Sequence, residues 1–68
     1  MNKNYTIRDL INENKRQLDG YRVLVSVYEE KGIENLDYEE TEYYGAYLGK
    51  VELLETIIEK LGKVNLAL

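Results

Sequence analysis

"DGYRVLVSVYEEKG", residues 19–32, admits two readings. Taken two apart, Tyr21, Val23, Val25 and Val27 form the face of a strand; taken three and four apart, Tyr21, Leu24, Val25 and Tyr28 form the stripe of a helix. The residues upstream favour the helix. Ile7, Ile11, Asn14, Leu18, Tyr21, Val25 and Tyr28 recur at alternating spacings of four and three, and Leu10 and Leu24 widen that stripe. One helical face therefore runs unbroken from residue 7 to residue 28, and Gly20 falls off it. A lone strand would leave its backbone groups unpaired, at a high cost if buried. The competing arrangement pairs "VLVSV" with "VNLAL", or with its own copy in a second chain.

The ends of the elements are legible too. Thr6 with Asp9 three residues on forms a capping box, and Tyr5 with Leu10 matches a hydrophobic staple. Lys31-Gly32-Ile33 fits a Schellman ending, with Gly32 left-handed and Ile33 packing back on Tyr28. Asp37 and Glu40 make a second capping pair, opening a helix at Tyr38 whose stripe is Tyr44, Tyr47, Val51, Leu54, Ile58 and Leu61. Gly62 reads as its stop. The expected organisation is one domain, residues 1–68: helix 7–31, turn 32–37, helix 38–61 and a short tail, 62–68. The predicted fold is all-α, an antiparallel helical hairpin about 37 Å long.

Sixty-eight residues lie near the lower limit for a chain that buries its own core, and such chains usually need a staple. With no cysteine there is no disulfide, and with no histidine either, a structural zinc site lacks its usual ligands. No cofactor or metal is expected. Pairing of chains is the staple that remains. Apolar residues beyond the main seams (Val23 and Val27 on the first helix, Ala46, Leu53 and Ile57 on the second) exceed what one hairpin covers, so a homodimeric four-helix bundle is expected. Val23, Val27, Leu53 and Ile57 are its candidate interface. Asn14 joins them as a polar residue within the stripe, able to fix register by pairing with its copy.

No apolar run approaches the ~20 residues that span a bilayer, and "MNKNYTIRDLINEN" lacks the apolar segment of a signal peptide, so a cytoplasmic protein is expected. The net charge of −4 is unevenly spread: residues 1–22 sum to +2, residues 23–49 to −6, and residues 50–68 are neutral. The acidic middle holds Tyr28, Tyr38, Tyr43, Tyr44 and Tyr47. Tyrosine buries large area at small entropy cost and still presents a hydroxyl. Tyr28, Tyr44 and Tyr47 fall on core stripes, which leaves Tyr38 and Tyr43, with Glu39, Glu40 and Glu42, as the candidate contact surface for a protein partner with a basic face. Gly45 and Gly49, four apart on the back of the second helix, read as a tolerated cost or a bend.

Other classes have less to draw on. Arg8, Lys15 and Arg22, seven apart, make a basic stripe that could hold RNA phosphates, but three charges broken by Asp19 are few for that work, and pairing with Glu52, Glu55 or Glu59 is the favoured use. A small-ligand pocket between hairpins, lined by tyrosines and glycines, is a third possibility. Catalysis is disfavoured: there is no histidine for acid–base work, and Glu52, Glu55 and Glu59 lack the Glu-x-x-His partner of a bundle di-iron site. The stretch "YYGAYLGKVELLETIIEKL", residues 43–61, resembles short open reading frames of phages and prophages of Gram-positive bacteria. That resemblance implies a small accessory or inhibitor protein that binds a host protein.

Overall fold

The computed structural model describes residues 5–67, which contain two long helices and no strand. α1 spans Ile7–Lys31, and the disputed "VLVSV" lies within it. A 3₁₀ turn, Ile33–Asn35, leads into α2, Tyr38–Ala67. The helices pack antiparallel as a hairpin of 47 × 24 × 16 Å. It is a single layer of two helices.

Local chemistry accounts for each end. At the start of α1 the Asp9 N–H donates to Thr6 Oγ1 (3.2 Å) and the Thr6 N–H donates to Asp9 Oδ2 (2.9 Å), so the capping box is complete. The Tyr5 hydroxyl donates to Glu13 Oε2 at 2.7 Å, and that bond holds the phenol pKa above its ordinary value. At the other end, the Gly32 N–H is shared between the carbonyls of Tyr28 (3.1 Å) and Glu29 (3.2 Å).

The ending differs from the Schellman turn read in the sequence. Gly32 has positive φ, but at φ 96° and ψ 125° it lies outside the left-handed helical region. The chain therefore leaves α1 in an extended direction instead of curling back, and Ile33 stays 55% exposed. The side chain of Asn35 closes the end: its Nδ2 donates to the Lys31 carbonyl at 2.9 Å.

α2 begins as its residues imply. The Glu40 N–H donates to Asp37 Oδ1 (2.8 Å), and the Asp37 N–H donates to Glu40 Oε1 (3.2 Å). Its far end does not stop at Leu61. The helix continues through Gly62 to Ala67, so residues read as a tail form one and a half further turns. Two cross-hairpin pairs, Lys31–Glu40 and Arg22–Glu55, set the antiparallel register and carry these turns alongside Ile7–Ile11. The half-buried Ile7, Leu10 and Ile11 thus gain neighbours. Those turns also explain why the hairpin is longer than 37 Å, since each helical residue adds about 1.5 Å.

The core is thin. Among the described residues only Leu18, Val25 and Leu54 are buried, at 6%, 8% and 5% exposure. The rest of the seam is half-buried, and tyrosines suit that condition because a ring can pack while its hydroxyl stays wet. Tyr21 and Tyr28 each lie against Tyr47, with centroids 5.8 and 6.2 Å apart, and Tyr28 meets Tyr44 edge-on at 6.3 Å. Burial raises the Tyr28 phenol pKa. Burial, and then the bond that the Tyr44 hydroxyl donates to Glu29 Oε2 (3.1 Å), raises that of Tyr44.

Candidate functional site

The residues singled out for partner contact lie on the first two turns of α2. Tyr38 is 81% exposed and packs on no other aromatic ring among the described residues. Glu42, one turn on, falls on the same side of the helix. Glu39 and Tyr43 form the neighbouring i,i+4 pair, joined by the Tyr43 hydroxyl donating to Glu39 Oε1 at 3.1 Å. Tyr43 is 45% exposed and stacks on Tyr47 (6.2 Å), so it ties this surface to the seam. Three carboxylate or phenol groups of this set are therefore open to solvent around a ring that nothing inside the hairpin uses.

Glu40 is differently placed. Both its oxygens accept from Lys31 Nζ, at 2.8 and 2.7 Å, while Oε1 also accepts the Asp37 N–H. The Lys31 ammonium, then the Asp37 N–H, hold the Glu40 carboxyl below its usual range, and the same bond to Glu40 raises the Lys31 pKa. Its carboxylate fixes the turn. Beside it, Glu39 and Glu42 remain exposed.

The candidate dimer residues are spread around the hairpin. Val23 and Val27 are 63% and 55% exposed on the outer side of α1. Leu53 is 53% exposed and Ile57 half-buried on α2. Asn14 is half-buried and donates from Nδ2 to the Leu10 carbonyl at 2.8 Å, a bond back to the preceding turn of its own helix.

Of the basic stripe, Arg22 pairs with Glu55 at 3.4 Å, one of the pairings weighed in the sequence, while Arg8 and Lys15 are exposed. Gly45 and Gly49 produce no break in α2, and an added Cβ at either would meet nothing within 4 Å. Among the described residues there is no cluster of three or more potential metal ligands, and no helix is long and apolar enough to cross a membrane.

One feature escaped the sequence reading. Gln17, Gly20, Tyr21 and Leu24 surround a shallow hollow of about 290 Å³ on the flank of α1. Its signal was present: a glycine at mid-helix, off the core stripe, ringed by neighbours at −3, +1 and +4.

Comparison of the chain with protein-family models, with curated proteins and with solved structures finds no match.

Proposed function

We propose that this chain is a non-enzymatic protein-binding module of the accessory or inhibitor type. Its contact surface is the acidic, tyrosine-bearing start of α2, formed by Tyr38, Glu39, Glu42 and Tyr43, with Glu40 holding the turn beneath them. The observation that carries this reading is Tyr38. A large amphipathic ring, 81% exposed and flanked by carboxylates, contributes little to the hairpin and much to a surface that can anchor a partner. The net charge of −6 over residues 23–49 favours a partner whose own face is basic and makes association faster at low salt. The likeness of residues 43–61 to phage reading frames supports a bacterial host as the source of that partner. The hairpin acts as a homodimer, two copies forming a four-helix bundle in the cytoplasm, with Val23, Val27, Leu53, Ile57 and Asn14 as candidate interface residues.

The test is a pull-down from host extract with wild type and with Tyr38→Ala/Tyr43→Ala. Loss of one identified, salt-sensitive partner, with circular dichroism unchanged, supports the reading. Retention of that partner by the variant overturns it. The RNA reading has less to draw on, because Arg22 already pairs with Glu55. Absence of binding to mixed RNA at low salt removes it.

A further inference from the structure

The two broad sides of the hairpin are chemically unlike. One is closed by polar contacts, Arg22 with Glu55 at 3.4 Å and Tyr44 with Glu29 at 3.1 Å. The other is open and carries a run of apolar residues, with Gln17 and Lys50 among them. It presents Leu24 (40% exposed) from α1 and Leu53 (53%) and Val64 (48%) from α2, with Ile57 half-buried between them. At 100° per residue, these positions point to the same side of the layer, opposite to Arg22 and Glu55. Val23 and Val27 point elsewhere, towards the outer edge, and Asn14 bonds back to its own helix, so of the candidate interface residues Leu53 and Ile57 are the ones on this side.

The hollow lies on this apolar side. Its four residues, Gln17, Gly20, Tyr21 and Leu24, are spaced i, i+3, i+4 and i+7. That is the spacing of the four residues that surround a side chain of a facing helix in knobs-into-holes packing. Gly20 leaves it open, since a Cβ built there meets nothing within 4 Å. A glycine at mid-helix costs about 1 kcal/mol relative to alanine, and this hole gives the cost a purpose.

The excess of surface leaves room for a second chain. The protein exposes 5407 Å², whereas a compact monomer of 8.0 kDa exposes about 4,450 Å². The surplus, roughly 950 Å², is close to the ~800 Å² that each partner gives to an interface of standard size.

Resting on the reading that hairpins pair, we infer that a second copy turned end for end covers this side. α1 then lies against α1 of the other copy, and Leu24 of each copy seats over Gly20 of the other. Charge selects the orientation. Stacking like ends would set the −6 of residues 23–49 against its own copy, while turning one copy lays it over the opposite end of the hairpin, residues 5–22 and 50–67, which together sum to only +1. The hollow lies near the middle of α1, so a two-fold axis there overlaps both hairpins along most of their length. Tyr38, on the outer side of α2, stays clear of this contact.

Because the chain has no cysteine, single cysteines report the arrangement directly. Equimolar Gly20→Cys and Leu24→Cys chains, mixed and mildly oxidised, are expected to give a disulfide-linked heterodimer. Each substitution is at an exposed position and leaves the fold intact. Cross-linking of Gly20→Cys with Leu53→Cys instead, in a protein that sediments as a dimer, overturns the end-for-end arrangement and leaves pairing standing. A single 8.0 kDa species at high micromolar concentration overturns pairing itself. As a second measurement, Gly20→Leu fills the hollow with a better helix former. It is expected to raise helicity yet weaken self-association by about tenfold or more. Unchanged association overturns the role of the hollow.

Discussion

Gly32 and the Lys31–Glu40 pair carry the turn, and each gives a separate prediction. At φ 96° and ψ 125°, Gly32 occupies backbone space that side-chain-bearing residues avoid. A Cβ there would also sit 2.9 Å from Asn35 Nδ2 and from Glu34 Oε1. Those are ends of movable side chains, so the backbone term dominates. Gly32→Ala is expected to cost about 1–2 kcal/mol, read as a fall in thermal midpoint. No loss would mean that the turn takes another path. The Glu40 carboxyl is held below its unfolded value of 4.5. Its contribution is therefore present above that value and lost as pH falls through the lower folded one. Lys31, raised above 10.5, contributes at all pH below that value and loses its share as pH rises through the folded one. Glu40→Gln keeps an oxygen for the Asp37 N–H and removes the charge together with one of the two oxygens that accept from Lys31. It should lower the melting temperature at neutral pH by a few degrees, and the gap to wild type should close well below the carboxylate range. An equal gap at both pH values would show that the charge is irrelevant.

Helix starts were more legible than helix ends, and the difference is physical. Thr6/Asp9 and Asp37/Glu40 act within three residues, so the sequence alone contains the whole interaction. Gly62 does not. A glycine stops a helix only if the chain gains more by turning than by continuing, and here the helix runs on to Ala67. Nothing within a few residues of Gly62 decides between the two. The hollow around Gly20 is an intermediate case: the mid-helix glycine off the stripe marks it in the sequence, but its shape needs Gln17, Tyr21 and Leu24 placed in space. Gly62 has no need of positive φ, and a Cβ there meets nothing within 4 Å. Gly62→Ala should therefore stabilise the chain by about 0.5–1 kcal/mol and raise its helicity. Had it been a true stop, the same change would destabilise. Circular dichroism melts of the two chains decide between these outcomes.

For the whole molecule, the balance between core and surface governs behaviour. Three buried residues cannot offset the ordering of two helices of 25 and 30 residues by much. Tyr21, Tyr28, Tyr44 and Tyr47 add ring contacts, but each ring is only half-buried. A radius of gyration of 15.3 Å, against about 11 Å for a compact chain of this length, reports the same excess of surface. If the second copy supplies the missing burial, folding and association are linked, and mass action then makes the melting temperature rise with protein concentration. Leu54→Ala removes the most buried side chain, at a cost of about 2–4 kcal/mol, a large fraction of what a lone hairpin has. That variant should melt without a cooperative transition at low micromolar concentration and regain one at high concentration. Wild type should show the same trend more weakly, as an upward drift of the midpoint across a hundredfold range. A midpoint independent of concentration in both proteins would mean that the thin core suffices alone. The apolar side of Leu24, Leu53 and Val64 would then be open for a different protein.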